Sequence, residues 1–470
     1  MTDVAKGMSA RLLDPSVVNG PSMEYSSSVS SVPYRQGLVQ RSFAPLTPGG
    51  IRQSTFTLIS TAMGGGVLCL PYVMKQVGLI NGVLLLSISS LIAFVTMYIL
   101  IMCAVKANKH SYGSLLGYCA GKWVAPVLDI ILLIYGMGAV IAYFILLGDF
   151  LPALFQLVGV TVASRTICMI GVAAFAVPLV LPRRLSALQY VSPVATFSLI
   201  LTAVITMVKA HRESVILPPD APVDLLIFGW PLLKAFTITL FAYICHMNVV
   251  PVASELVEPT PARVLKVTSR VAFVQLSFYI VIGVAGYISF SHFTRQNYIT
   301  NYPSGDVLIS LCRLSLSCSL LFSIPINTNP TAKAAVHFFK SIRELMADSR
   351  GDRLLPARRR VLSSVTEENA SERALRIFFS FLVLAVTLIV GILVPGVADV
   401  VSLLGGSLGT IIMIVCPLYI FVTIMKAESK TVLGRVVVWS LVVAGVVALT
   451  AVGLMVTNTM KITHLPLAVN

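Results

Sequence analysis

The sequence predicts an all-α polytopic membrane protein, and three observations predict it. Hydrophobic residues make up 57% of the 470-residue chain and charged residues 11%, with a mean hydropathy of +0.90, whereas a soluble domain is usually about 25% charged. Eleven runs are long and apolar enough to cross a bilayer, which takes roughly 20 residues each. The basic residues between those runs gather on alternate connections, as the positive-inside rule requires.

The runs are 53–76, 79–104, 125–149, 164–182, 189–209, 225–247, 267–291, 305–325, 375–395, 398–424 and 433–457. With the N-terminus inside, 26 of the 34 Lys and Arg residues fall on the inner side and six on the outer side, while Lys234 and Arg313 lie within spans. This asymmetry predicts a cytosolic N-terminus and a C-terminus on the opposite side. It also accounts for the net charge of +15 and the pI near 9.6: the charge faces anionic lipid, and no nucleic-acid partner is expected. Residues 1–50 read as a disordered cytosolic tail without a signal-peptide pattern. Residues 51–457 read as the membrane domain, 326–374 as a solvated cytosolic loop within it, and 458–470 as a short outside tail. The sequon at Asn369 falls in the loop, on the wrong side for glycosylation.

Span one reads TLISTAMGGGVLCLPYVMKQVG, with Gly64, Gly65 and Gly66 at its midpoint. One glycine costs a helix about 1 kcal/mol relative to alanine. Three in a row remove side chains from nearly a turn and favour unwinding, which is tolerated at that depth where the backbone is buried or lines a cavity. The freed N–H groups and the half-helix N-terminus attract an anion, and freed carbonyls can hold a cation. Ser60 and Thr61 add oxygens, and Pro71 opens the second half-helix. Span six ends its apolar run at Cys245-His246-Met247-Asn248 with Pro251 behind it. Interruptions in spans one and six predict a five-plus-five inverted repeat with an added eleventh span.

His246 is read either as a proton carrier or as a packed histidine, and Phe241 and Tyr243 either as pocket walls or as packing. Pro325 and Pro330 are expected to break span eight, with Ser323 as a cation ligand or a hydroxyl bonded into its own helix. The glycines of LLGGSLGT in span ten predict close packing. Lys234 and Arg313 either snorkel to the outer interface or pair with Asp149, Asp306 or Asp399. No Cys or His cluster has metal-ligand spacing, so neither a metal nor an organic cofactor is expected.

Two of these stretches carry a family resemblance. STAMGGGVLCLPYVMKQVG resembles the first-helix motif of the amino acid/auxin permease family. FAYICHMNVVPVASEL resembles the sixth-helix motif of its sodium-coupled neutral amino acid transporter branch, and LLFSIPINTNP and LLGGSLGTIIMIVCPLYIF loosely match its eighth and tenth helices. The resemblance implies a LeuT-like fold with 11 transmembrane helices and secondary transport of amino acids by symport. It implies that Gly64, Gly65 and Gly66 bind the substrate carboxylate, with Thr61, Phe241 and Tyr243 around it. Ser60, Ser323 and His246 then fall to cation or proton coupling, with Na+ or H+ as the ion. Ser60 stands where the branch often has Asn, and Ser323 where it has Thr. Both changes point away from strict sodium coupling. The resulting expectation is a non-enzymatic, monomeric transport unit in the plasma membrane or an acidic organelle membrane. The alternative is an amino acid sensor signalling through its tail or loop.

Overall fold

The structure, a computed structural model, describes residues 49–121, 124–160, 164–181, 191–213, 222–349 and 370–463. The expected N-terminal tail up to residue 48, Asn369 and the end of the chain lie outside the described residues. Among those described there is no strand. Eight helices are long and apolar enough to cross a membrane, nine if one bent pair counts as a single span, and two shorter apolar helices cover Arg165–Val180 and Ala195–Ala210. Described helices overlap each of the expected runs, but only these eight or nine are long and apolar enough to cross a membrane, so the expected count of eleven is not reached among the described residues.

Span one is the bent pair. Helix α1 (Ile51–Ala62) stops at Met63 and Gly64, whose backbone is extended. A 3-10 turn (Gly65–Cys69) then leads into α2 (Leu70–Val77), and the two arms bend by 56°. Helix α3 (Leu79–Ala107) ends in a left-handed Asn108, and α4 (Tyr112–Ala120) begins in a Ser111–Ser114 capping box. Helices α5 (Val124–Leu157), α6 (Arg165–Val180) and α7 (Val191–Glu213) complete the first repeat.

Span six divides into α8 (Pro231–Ala242), with proline at its first turn, and α9 (His246–Glu255). The break at 243–245 lies slightly earlier than the sequence suggests. Helix α10 (Pro261–Phe290) follows with Thr260 as its cap, and then α11 (Val307–Ser349). Helix α11 runs unbroken through Pro325 and Pro330, against expectation, and carries the helix into what was read as loop. Side chains strengthen the ladder there: Ser323 Oγ donates to Ser319 O at 2.8 Å, Asn327 Nδ2 to Ser323 O at 3.0 Å and Thr331 Oγ1 to Asn327 O at 2.6 Å.

Helix α12 (Ala370–Leu393) precedes span ten, which is α13 (Val397–Leu404), two π-helical segments (Gly405–Gly409 and Ile411–Val415) and α14 (Cys416–Ile424). The short α15 (Lys426–Ser429) and α16 (Val432–Thr463) follow. Gly405 permits close approach to span six, because a Cβ there would lie 2.1 Å from Thr237 O. The glycines of span ten therefore pack, as expected.

Two groupings position the site. Helices α5, α6, α11 and α12 each pack against the other three. The broken helices are instead tied to each other at both ends. On one face, Leu79 N donates to Asp224 O, Ile80 N to Leu225 O and Ile227 N to Val77 O, at 2.8–2.9 Å. These bonds join the α2–α3 turn to the strap that enters α8. On the other face, Val257 N donates to Gly49 O at 3.0 Å, joining the end of α9 to the start of α1. Gly49 has φ +69°, and a Cβ there would sit 2.3 Å from Glu255 O, so this junction requires glycine.

Candidate functional site

The break in span one frees both kinds of backbone group at one place. The amides of Gly64, Gly65 and Gly66 donate to no backbone carbonyl, and no side chain caps the turn they begin. Their would-be helical acceptors, the carbonyls of Ser60, Thr61 and Ala62, are therefore freed as well. Free N–H groups at a helix N-terminus suit an anion, and free carbonyls at a helix C-terminus suit a cation.

A cavity of about 180 Å³ adjoins this break, between α1, α5, α7, α9 and α11. Ser60, Thr61, Gly64 and Gly65 line it from span one, and Ser319, Ser323 and Asn327 from α11. Tyr143 of α5 and Asn248 of α9 supply the remaining polar groups, with Met63, Leu68, Leu199 and Leu316 among the apolar ones. Among the described residues, no carboxylate, ammonium, guanidinium or imidazole lines the cavity. A ligand side chain carrying net charge would therefore be buried without a partner.

The hydroxyls in this wall are oriented as acceptors. Ser60 Oγ donates to Thr57 O and Thr61 Oγ1 to Leu58 O, both at 3.0 Å, as Ser323 does to Ser319 O. Each spends its single proton on its own helix, so its lone pairs are what remains for the cavity.

The other expected residues lie apart from the cavity lining. Gly66 faces Phe241, whose Cδ1 would be 2.8 Å from a Cβ at that position. Phe241 in turn stacks toward Tyr135, with ring centroids 6.1 Å apart. Tyr243 is buried with its ring 4.9 Å from that of Tyr279, and Tyr279 Oη donates to Ala242 O at 2.7 Å, satisfying a carbonyl at the span-six break. His246 is buried, its Nε2 2.8 Å from Thr96 Oγ1. Thr96 donates its own proton to Ile92 O at 2.7 Å, so the network assigns the proton on His246 to Nε2. Nδ1 is left buried without a hydrogen bond.

Tyr143, Asn248, Ser319 and Asn327 were not singled out from the sequence. The available signal was a polar side chain inside an apolar span, which is costly unless buried in protein.

A second, larger cavity of about 890 Å³ opens at the ends of α2 and α5 and the start of α13, with Arg313 and Gln296 in its lining. Lys234 pairs with Asp399 at 2.6 Å, and Gln296 bonds both that carboxylate and the Ala398 amide. Arg313 donates to the carbonyls of Ile299, Tyr302 and Pro303, holding the loop before α11. Lys234 thus follows the pairing alternative, and Arg313 takes neither course: it binds backbone carbonyls.

Comparison with known proteins agrees with this architecture. A crystal structure of MhsT in complex with L-phenylalanine superposes with a TM-score of 0.52 at 12% identity, covering 85% of this chain and 97% of that one. This likeness identifies the LeuT fold. A Toxoplasma gondii protein provisionally named amino acid transporter AAT1 is 33% identical over 308 residues, which is 64% of this chain and 42% of that protein. The vacuolar amino acid transporter 7 of Saccharomyces cerevisiae is 25% identical over 59% of this chain and 57% of its own length. A Rattus norvegicus protein provisionally named sodium-coupled neutral amino acid transporter 11 is 30% identical over 61% of this chain and 64% of its own length. The chain thus spans less than two thirds of each of these curated relatives. The family model described as transmembrane amino acid transporter protein matches residues 47–458, and the chain belongs to that family.

Proposed function

We propose that this chain is a secondary active transporter that moves amino acids across a membrane by alternating access. The observation that carries the reading is the juxtaposition of three unbonded glycine amides, three freed carbonyls and a small cavity at the span-one break. The substrate carboxylate sits on the amides of Gly64 and Gly65, with Gly66 completing the turn, and Thr61 faces it. Phe241 and Tyr243 act from behind: Phe241 backs Gly66, and Tyr243 packs at the span-six break. The uncharged lining favours zwitterions with neutral side chains.

Ser60 and Ser323 present lone pairs to the same space, which suits a coupling cation. Sodium must exchange its hydration for protein oxygens, and the side-chain oxygens in this wall are neutral hydroxyls and amides, with no carboxylate. Coupling is therefore weak or proton-based rather than strictly sodium-based. His246, with its buried free Nδ1, is the candidate proton group. The transport unit is a monomer, oriented with its N-terminus cytosolic, in the plasma membrane or an acidic organelle membrane.

Uptake of a labelled amino acid panel into proteoliposomes, with sodium replaced by choline at several pH values, tests this function. Accumulation above protein-free vesicles supports transport, and its absence for every amino acid overturns it. Uptake stopped by choline at every pH overturns the coupling assignment.

A further inference from the structure

A polar seam runs through the core, and none of its residues lines either cavity. It lies where span six follows α3. Thr239 Oγ1 is 2.9 Å from Ser89 Oγ, Tyr243 lies beside Ser90, Cys245 Sγ is 3.5 Å from Met97 Sδ, and His246 Nε2 is 2.8 Å from Thr96 Oγ1. Helix α10 covers the same seam. Ser90 Oγ donates to Ala272 O at 3.2 Å, and Tyr279, two turns further along α10, has its ring 4.9 Å from that of Tyr243. Gln275 stands between these two contacts on the same face of α10.

Three residues of the seam are 0% exposed and have hydrogen-bonding capacity unused. Neither Oε1 nor Nε2 of Gln275 has a partner among the described residues, and neither has His246 Nδ1. Tyr243 Oη completes no hydrogen bond of normal geometry. A buried carboxamide unpaired at both ends is costly, and an apolar side chain of the same size would cost less. Polar groups that the protein leaves over in its interior are met by internal water, which takes about three hydrogen bonds. The unused atoms suit water: Nε2 donates, Oε1 and Nδ1 accept, and a tyrosine hydroxyl does either. The side chains around them are small, Ser89, Ser90 and Ala93 on α3 and Ala272 on α10, which leaves room beside the carboxamide.

We propose that Gln275, Tyr243 and His246 hold internal water in the seam between spans two, six and seven, and that this water delivers the coupling proton to His246 Nδ1. This inference rests on the reading of His246 as the proton group. The His246 ring is shut off from solvent, and its Nε2 is spent on Thr96, whose own proton goes to Ile92 O. Nδ1 is therefore the ring position at which a proton can be added. An excess proton advances as each water gives one proton ahead and takes one from behind. The last is given to Nδ1, which leaves an imidazolium and a neutral water, and release reverses the sequence. Gln275 exchanges no proton; it holds the water in line. Of the elements packed against α9, α1 and the π-helical segment Ile411–Val415 bury no titratable side chain. Helix α3 carries Cys103 two turns beyond Thr96, and α4 buries Tyr112, whose hydroxyl is given to Ile412 O. Span six adds Cys245 and Tyr243, with Tyr279 of α10 behind the latter. No charged side chain acts on His246 among the described residues.

The test has two arms. In the first, wild type and Gln275→Leu in lipid nanodiscs are labelled by radiolytic hydroxyl radicals, which modify buried side chains beside internal water. Tyr298 is the control, equally buried but bonded to Thr206 at 2.7 Å. Tyr243 and Tyr279 are expected to label several-fold faster than Tyr298 in wild type and to fall to its rate in Gln275→Leu. In the second arm, proteoliposomes report substrate-driven proton entry with an internal pH dye, beside exchange of labelled for unlabelled amino acid. Gln275→Leu is expected to lose proton entry and keep exchange, a split that a purely structural defect would not produce. Wild-type labelling no faster than that of Tyr298 means a dry seam and overturns the proposal. So does labelling unchanged by Gln275→Leu, or a variant that moves protons as wild type does. Gln275→Met replaces Gln275→Leu should the latter fail to fold, and wild-type labelling decides alone if neither folds. If wild type takes up no amino acid, the transport reading fails, while the labelling arm still reports on the water.

Discussion

Adding one methyl group at Gly64 and at Gly66 separates the site from its support. A Cβ at Gly64 would meet nothing closer than Ala62 O at 4.0 Å, and its φ of −135° and ψ of −162° suit alanine. Gly64→Ala should therefore fold with stability changed by about 0.5 kcal/mol or less. If the substrate carboxylate sits on these amides, as proposed, a methyl group on Gly64 competes with it for space. Losing one charge-assisted hydrogen bond costs about 1.5–3 kcal/mol, or roughly ten- to a hundredfold in affinity. A Cβ at Gly66 would lie 2.8 Å from Phe241 Cδ1 and 3.1 Å from Cε1, so the ring must move. Overpacking of this kind costs about 1–3 kcal/mol and should lower the unfolding temperature with a smaller effect on KM. Uptake kinetics in proteoliposomes and thermal unfolding in detergent read the two effects separately. A Gly64→Ala protein with wild-type KM, or one as destabilised as Gly66→Ala, would refute the assignment of these amides to the ligand.

Gly405→Ala forces a Cβ to 2.1 Å from a backbone oxygen, Thr237 O, and should abolish monodisperse protein on size exclusion; a well-behaved variant would show that spans six and ten can separate. His246→Gln should remove the pH dependence of uptake while exchange continues, and an unaltered pH profile would release His246 from coupling. Burial raises the Asp306 carboxyl, but the Lys209 hydrogen bond and the amides of Ile309 and Leu308 outweigh it and hold it below the ordinary carboxylate range. A depressed carboxyl stabilises above its unfolded value, about 3.9, and loses that contribution as pH falls through the folded one. Wild type should thus be more stable than Asp306→Asn at neutral pH and converge on it below about pH 4 in thermal unfolding.

The triple glycine was legible because three residues without side chains in one apolar run have few structural explanations. The glycines of span ten were legible for the same reason, although the π-helical segments they border were not, since π and α turns share an apolar pattern. The two prolines of α11 misled: a proline signals a missing donor, but whether the helix breaks depends on Ser323, Asn327 and Thr331 bonding nearby carbonyls and on helices packed around it. Asn248 and Asn327 stood in quoted stretches, yet periodicity could not show that α9 and α11 turn them into one cavity. The destination of Lys234 was open between lipid interface and carboxylate, because the distance from α8 to Asp399 is a tertiary fact.

How the broken helices are tied determines which motion the fold favours. The strap at 224–227 binds the α2–α3 turn through three backbone hydrogen bonds and continues into α8, so α2 and α8 are coupled on the side of the larger cavity. Gly49 binds the residue just beyond α9 and precedes α1, so α1 and α9 are coupled on the other side. Between these pairs the chain leaves the helical conformation at Met63–Gly64 and at Ile244–Cys245. Each pair can therefore tilt about the breaks without rupturing its own helices. The small cavity lies on the α1 and α9 side of the breaks, and swinging that pair outward would open it to that face. The opposite pair is restrained by Lys234–Asp399 and by Gln296, which together link α8, α13 and the loop before α11. The free amides of Gly64 and Gly65 sit at the junction of the two pairs. A carboxylate bound there, as proposed, would contact the start of α2's turn while the hydroxyls of Ser60 and Thr61 end α1, so occupancy of the site would bear directly on the angle between the arms. That dependence of arm angle on ligand is what alternating access requires of a site placed at a helix break.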